Sequence, residues 1–373
     1  MDVAFTHEQD LLRTSARDFL DDRCPIGLVR EAADAGAGGD GVDRLWDSMA
    51  QLGWMGLGVD EGHGGLGRPL VDLAILSEEM GRSLVPAPWF STVGLFTEAI
   101  RVAGDARQRG AWLPRIAAGE VRGTLAILER DGVLGRDGVT TTATPAGDGY
   151  RLEGSKAFVP DLDIAGSVVV AALLEGQPGL FVVDAGACEL TDEAGIDPTR
   201  RLATLRLPGA EVGSDCLLGG EPCGWATIER VLDRATALQC AEMCGGAQKV
   251  LELTVEYART RQQFGRPIGS FQGVSHRCAE MLLAVESARS LSYYAAWCCD
   301  EDLDNAPLAV SAAKAWTGDT YRAATSQAIQ LHGGIGFTWE ANLHLWYRRA
   351  LAMAALLGDP GYHRERVATL IDL

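Results

Sequence analysis

Two stretches of this chain carry side chains suited to holding a phosphate-bearing ligand: residues 261–272, RQQFGRPIGSFQ, and residues 330–336, QLHGGIG. Arg261 offers a planar fork of donors that matches phosphate oxygens. Gln263, Gln272 and Gln330 supply neutral donors and acceptors. Gly333 and Gly334 lack Cβ atoms, so a dinucleotide can approach the backbone closely. Phe264 completes the first stretch. Each feature alone has a plainer reading. Arg261 reads as a solvated charge at a helix end, and the glycine run as a helix C-cap and turn. The presence of both stretches in one chain favours dinucleotide contact.

Other chemistry is poorly supported. Nine cysteines are present, but Cys240 and Cys244 lie one helical turn apart and Cys298 and Cys299 are adjacent, which is not zinc spacing. No metal site is expected, and the thiols read as buried or half-buried helix residues. Free thiols in such number point to a reducing, cytoplasmic setting. The opening MDVAFTHEQD has no basic region followed by an apolar run, so no signal peptide is read. No apolar stretch reaches membrane-spanning length. The formal net charge of −18 argues against nucleic acid.

The elements that must position these residues fall into three blocks. At 373 residues and 47% hydrophobic content, the chain can bury a large core and should divide into two or three domains. Residues 1–120 read as helical, opening on a Thr6–Gln9 capping box. A Gly-rich loop follows at 36–41, then helices over 42–52, 70–84 and 91–102, broken by Pro86 and Pro88. Residues 121–223 change to short β-rich runs at 123–128, 139–144, 150–152, 167–173, 180–183 and 202–207, as in a small sandwich or barrel. Residues 224–373 are helical again, with helices over 225–259, 272–300, 307–331 and 339–357 forming a four-helix set. The fold class is therefore α+β: an N-terminal α-helical domain, a middle β-sandwich or barrel, and a C-terminal four-helix bundle.

The two motifs, in this order and spacing, resemble those of the acyl-CoA dehydrogenase family. The resemblance extends to the opening FTHEQDLLRTSARDFL and the Gly-rich GWMGLGVDEGHGGLG at 53–67. It implies the same α–β–α fold, FAD as cofactor and an acyl-CoA substrate. It also implies that Arg261 reaches the flavin pyrophosphate of a neighbouring subunit, while the segment from Gln330 lines that flavin's adenosine. An acidic chain does not steer a polyanionic CoA ester from a distance, so a CoA site needs its own local Arg or Lys.

The resemblance fails where the reaction needs a base. Removing the α-proton of a thioester calls for a carboxylate within hydrogen-bond reach. The family places a Glu at one of two positions, and here these hold Leu357 and Ala235. Shifted registers offer Asp233, Glu229 or Asp359, while Glu340 reads as an exposed first-turn residue. The β-domain departs as well. Where relatives carry Thr-Glu-Pro…Gly-Ser-Asp and Lys-x-Trp-Ile-Thr-Asn, this chain has ILERDG at 127–132 and KAFVPD at 156–161. Lys156 survives, Phe158 replaces the Trp, and Pro160 removes a backbone donor.

Residues that would build the chain's own site are thus altered, and those that would reach a neighbour's flavin are intact. The leading expectation is a non-catalytic subunit, inactive alone, that completes the FAD site of a homologous Glu-bearing subunit in a heterotetramer. The possible substrates include a steroid side-chain CoA ester. Two alternatives stand beside it: a self-sufficient homotetramer using a shifted carboxylate, and a flavin-free scaffold or CoA-binding protein. The small residues Ala235, Ala237, Ala241, Gly245 and Gly246 favour tight helix packing over a roomy acyl pocket.

Overall fold

The structure is a computed structural model that describes residues 5–35 and 39–373. Six helices come first: α1 (His7–Arg23), α2 (Ile26–Ala35), α3 (Asp40–Gln51), α4 (Leu70–Ser83), α5 (Glu98–Ala103) and α6 (Ala106–Ala117). The Thr6 hydroxyl accepts from the Gln9 backbone and the Gln9 side chain reciprocates, so α1 begins on a full capping box. The expected loop over 36–41 falls partly on residues 36–38, outside the described residues. The helix expected over 91–102 does not form as one α-helix; only its second half falls in α5. Residues Phe90–Thr97 are π-helical and wholly buried, a rare geometry that tends to mark functional regions.

The β-rich region is one curled, seven-stranded mixed sheet rather than two stacked sheets. Its strands are β1 (Gly123–Ala126), β2 (Thr142–Ala146), β3 (Gly149–Pro160), β4 (Ser167–Leu174), β5 (Gln177–Asp184), β6 (Glu189–Glu193) and β7 (Leu202–Gly213). β5 pairs along one edge of β4, and β1 and β2 share the other edge in parallel register. The sheet continues through β3 and β7 to β6. β6 was not expected because its residues, ELTDE, are almost all exposed and show no alternation. It is an edge strand held by its β7 ladder.

The C-terminal region contains α7 (Gly224–Thr260), a hairpin of β8 (Gln262–Gln263) and β9 (Arg266–Pro267), α8 (Gln272–Asp300), α9 (Ala306–His332), α10 (Leu343–Ala355) and α11 (Pro360–Leu370). One main apolar core runs from the N-terminal helices through this bundle, and a second lies within the sheet. α4 is buried along nearly its whole length although it carries Asp72, Glu78, Glu79 and Arg82. Each of these charges is paired, as burial requires; Arg17, for instance, forks onto Glu79 at 2.9 and 2.7 Å.

α4 crosses α7 with no spare room. A Cβ on Gly245 would lie 1.8 Å from the Glu78 carbonyl oxygen, and one on Gly81 would lie 1.9 Å from that of Glu242. A Cβ on Gly246 would strike the Tyr321 hydroxyl at 2.3 Å. The small residues of α7 therefore serve close helix packing.

Candidate functional site

The outward site is built at the C-terminal end of α7. Arg261 caps that helix, and the chain turns back at once through β8 and β9. The turn residues Phe264 and Gly265 have φ of +52° and +75°. Two successive positive φ values suit a tight hairpin, but on a Phe the conformation costs on the order of 1–3 kcal/mol. It leaves Phe264 92% exposed. The hairpin is braced from below, where the Arg266 guanidinium sits 4.1 Å from the Phe271 ring centroid.

Both sequence motifs meet at this end. α7 and α9 run side by side, and Tyr257, one turn before Arg261, stacks on His332 at 4.3 Å. Gly333 follows directly, with φ +65°, and a Cβ on Gly333 or Gly334 would meet open space. Arg261, Gln263, Gln272, Gln330, Gly333 and Gly334 are all exposed. Among the described residues, no side-chain hydrogen bond or ion pair engages Arg261 or the three glutamines. Beside them a cleft of about 410 Å³ is lined by Glu256, Tyr257, Thr260, His332, Ile335 and Asn342. That volume lies in the range of small-molecule sites, roughly 300–1,000 Å³.

The expected base positions lie at the other end of α7. Ala235 is fully buried, some 40 Å from Arg261 at about 1.5 Å rise per residue. Leu357 follows α10 with φ +60°. Its turn is clamped from two sides. The Lys314 ammonium donates to the carbonyls of Met353, Ala354 and Gly358 at 2.9, 3.2 and 2.9 Å. His363 Nε2 bonds the Leu357 carbonyl at 2.9 Å. Burial lowers the Lys314 ammonium to about 8 and the His363 imidazole to about 4.

The shifted carboxylates all have structural partners. Asp233 forks with Arg366 at 2.5 and 2.9 Å. Glu229 sits 4.0 Å from the same guanidinium. Asp359 caps α11 by accepting from the Tyr362 backbone at 2.7 Å. Glu340 is exposed, and backbone and Thr338 hydrogen bonds lower its carboxyl below the usual range.

The altered β-domain segments are occupied internally. Lys156 is completely buried and donates to Glu129 at 2.8 Å and to the Ile127 carbonyl at 3.1 Å. Glu129 also accepts from the Thr140 and Thr141 backbones, both at 2.8 Å. Burial opposes ionisation of Glu129, but Lys156 and the two threonines outweigh it and hold the carboxyl at about 2.

A second set of buried charges was not visible in the sequence. Arg349, 1% exposed, donates to Glu242 at 2.8 Å and to the Thr199 hydroxyl at 2.6 Å, and it pairs with Asp197. Arg200 donates to Glu242 at 2.9 Å and lies 5.4 Å from the Phe90 ring centroid. Nearby, the buried Ser91 hydroxyl donates to Asp161 at 2.7 Å. Burial raises the Asp161 carboxyl above the usual range. These residues come from positions 90 to 349, so spacing could not have linked them. The available signal was Arg349 standing directly before the apolar run 350–357.

The fit to a flavin is therefore uneven. The outward hairpin has free donors, approachable glycines and an exposed aromatic. The chain's own inward cleft has a volume of about 20 Å³ and is lined by Leu95, Leu125, Ile127, Phe158, Pro160 and Leu357 among others. That is room for about one water, far below the roughly 300 Å³ at the lower end of ligand sites.

Solved structures share this whole architecture. A variant of the Tcur3481–Tcur3483 steroid acyl-CoA dehydrogenase superposes with a TM-score of 0.87 and 30% identity, covering 98% of each chain. The ChsE4–ChsE5 complex from Mycobacterium tuberculosis gives 0.91 and 25%, covering 100% of this chain and 99% of that one. The fold is that of the flavin-linked acyl dehydrogenases. Family models for the acyl-CoA dehydrogenase N-terminal and C-terminal domains match residues 6–120 and 223–371. Acyl-CoA dehydrogenase IpdE2 of Mycobacterium tuberculosis is 31% identical over 356 residues, 95% of this chain and 94% of that protein. The chain belongs to the acyl-CoA dehydrogenase family, whose members are FAD-dependent oxidoreductases.

Proposed function

We propose that this chain is the base-less partner subunit of a heteromeric acyl-CoA dehydrogenase, completing the FAD site of a homologous subunit that carries the catalytic Glu. One observation carries the reading. The residues suited to dinucleotide contact face outward at one end of α7, while the positions for a base, Ala235 and Leu357, are apolar and lie at the other. FAD, when bound, supplies the hydride acceptor for α,β-desaturation of the thioester. Arg261 would bind pyrophosphate oxygens in two-point fashion. Gln263, Gln272 and Gln330 would bond polar atoms of the dinucleotide, and Phe264 would cover it from solvent. The α-proton would leave to the partner's Glu, since neither Leu nor Ala accepts one.

The named steroid relative supports a steroid side-chain CoA ester as the substrate class to try first. The self-sufficient reading requires Asp233, Glu229 or Asp359 to leave the Arg366 pair or the α11 cap. The test is Arg261→Ala in the complex purified with its Glu-bearing partner. Flavin retention should fall at least tenfold, reflecting loss of a charge-assisted contact worth about 1.5–3 kcal/mol. Undiminished flavin content would show that the pyrophosphate is held elsewhere.

A further inference from the structure

We propose that Arg30, on α2 of the N-terminal helices, is a positioning residue for the outward flavin site: it holds the loop that walls the cleft beside Arg261. The inference rests on the partner-subunit reading and adds a residue that this reading does not name.

The loop is the connection between α9 and α10. α9 ends at His332, and α10 begins at Leu343. Gly333 takes a φ of +65°, and a Cβ on Gly333 or Gly334 would meet open space. The connection therefore starts on backbone that is free to pivot. Further along, Ile335, Glu340, Ala341 and Asn342 line the cleft of about 410 Å³ together with Glu256, Tyr257 and Thr260 of α7. The shape of that cleft depends on where the loop sits.

The two ends of the loop are held differently. At its start, Tyr257 stacks on His332. At its far end the tether is Arg30. Its Nε donates to Asn342 Oδ1 at 2.7 Å, and its Nη2 donates to the Trp339 carbonyl. The planar fork thus fixes two points of the loop at once. Among the described residues, Arg30 is the one residue outside 335–345 that hydrogen-bonds to 338–342.

The contact is specific in two respects. Asn342 stands at the N-cap of α10, yet its side chain makes no capping hydrogen bond. An N-cap Asn ordinarily accepts from the helix's own N–H groups; here the oxygen is given to Arg30. Arg30, in a chain with 51 Asp and Glu residues, pairs with no carboxylate among the described residues and directs its fork at two neutral oxygens. The Trp339 ring is held separately by α10, with the Arg348 guanidinium 5.1 Å and the His344 ring 4.5 Å from it. Without Arg30 the far end of the loop keeps only local bonds. The cleft wall then gains freedom that ligand binding must remove.

The test uses the complex co-purified with its Glu-bearing partner, stripped of flavin and titrated with FAD. Arg30→Met keeps the stem and removes the donors. It should weaken FAD binding about tenfold, the scale of one charge-assisted hydrogen bond, while the melting midpoint of the stripped complex stays the same. Arg30→Lys, which retains a donor, should recover part of the affinity. Asn342→Ala should weaken binding as well, and its loss combined with that of Arg30→Met should fall short of additive. Unchanged affinity in Arg30→Met, with Arg261→Ala still weakening it, would overturn the positioning role and leave the partner reading intact. Fully additive losses would also overturn it. So would a loss in Arg30→Met that tracks a fall in the stripped complex's midpoint and is not recovered by Lys. Unchanged affinity in Arg261→Ala would contradict the partner reading, and this inference with it.

Discussion

Leu357 is one of the two positions we propose for the missing carboxylate, and its environment says what placing one there would do. It lines one small cavity with Leu95, Ile127 and Phe158, and its turn is held by Lys314 and His363. A Glu there would enter an apolar, water-poor cleft, where an unpaired charge is costly. Leu357→Glu should therefore lower the melting midpoint and give no turnover by the chain alone. Desaturation by the isolated variant would show that only the base was missing. Glu129 gives a prediction of different kind. Its carboxyl lies at about 2 in the folded chain against an ordinary 4.5. Its stabilisation is complete above pH 4.5 and is lost as pH falls from there toward 2. His363 lies at about 4 against 6.5 because burial disfavours its charge. The unfolded chain binds that proton first, so stability also falls as pH drops from 6.5 to 4. Denaturant midpoints at pH 7, 5 and 3 should decline across both windows. Glu129→Gln should flatten the lower one and His363→Gln the upper.

At the scale of elements, periodicity located what it could and missed what lacks a pattern. The helix expected at 272–300 is α8 with the same bounds, because its apolar positions recur at helical spacing along a long run. α2 and α6 lie within the block read as helical but were not delimited there, and α11 was not expected; α6 carries Pro114 within it. The outward motif was legible because its residues lie within two short stretches. The charge cluster was not, since tertiary folding alone brings Ser91, Asp161, Asp197, Arg200, Glu242 and Arg349 to one junction. That cluster makes three elements respond as one. Arg349→Met should raise amide hydrogen exchange together in residues 90–97, 157–161 and 353–359, while α4 and α8 stay protected. Exchange rising only near residue 349 would show that these segments are held independently.

At the scale of the whole molecule, α7 sets two sites far apart. One end presents Arg261 and Phe264 to the outside, and the other buries Ala235 against the core. A chain with both ends working would serve its own chemistry and a neighbour's at once; on the proposed reading this one retains only the outward half. Exposed apolar residues on α8 and α9, Leu282, Leu283 and Trp316, agree with a chain that functions in an assembly. No helix among the described residues is long and apolar enough to cross a membrane. The measurement that tests the central claim most directly is flavin content by visible absorbance, on the chain expressed alone and then with its Glu-bearing homologue. The account predicts a colourless chain alone and a yellow complex with about one flavin per unlike pair. About one flavin per chain in the protein expressed alone would contradict it.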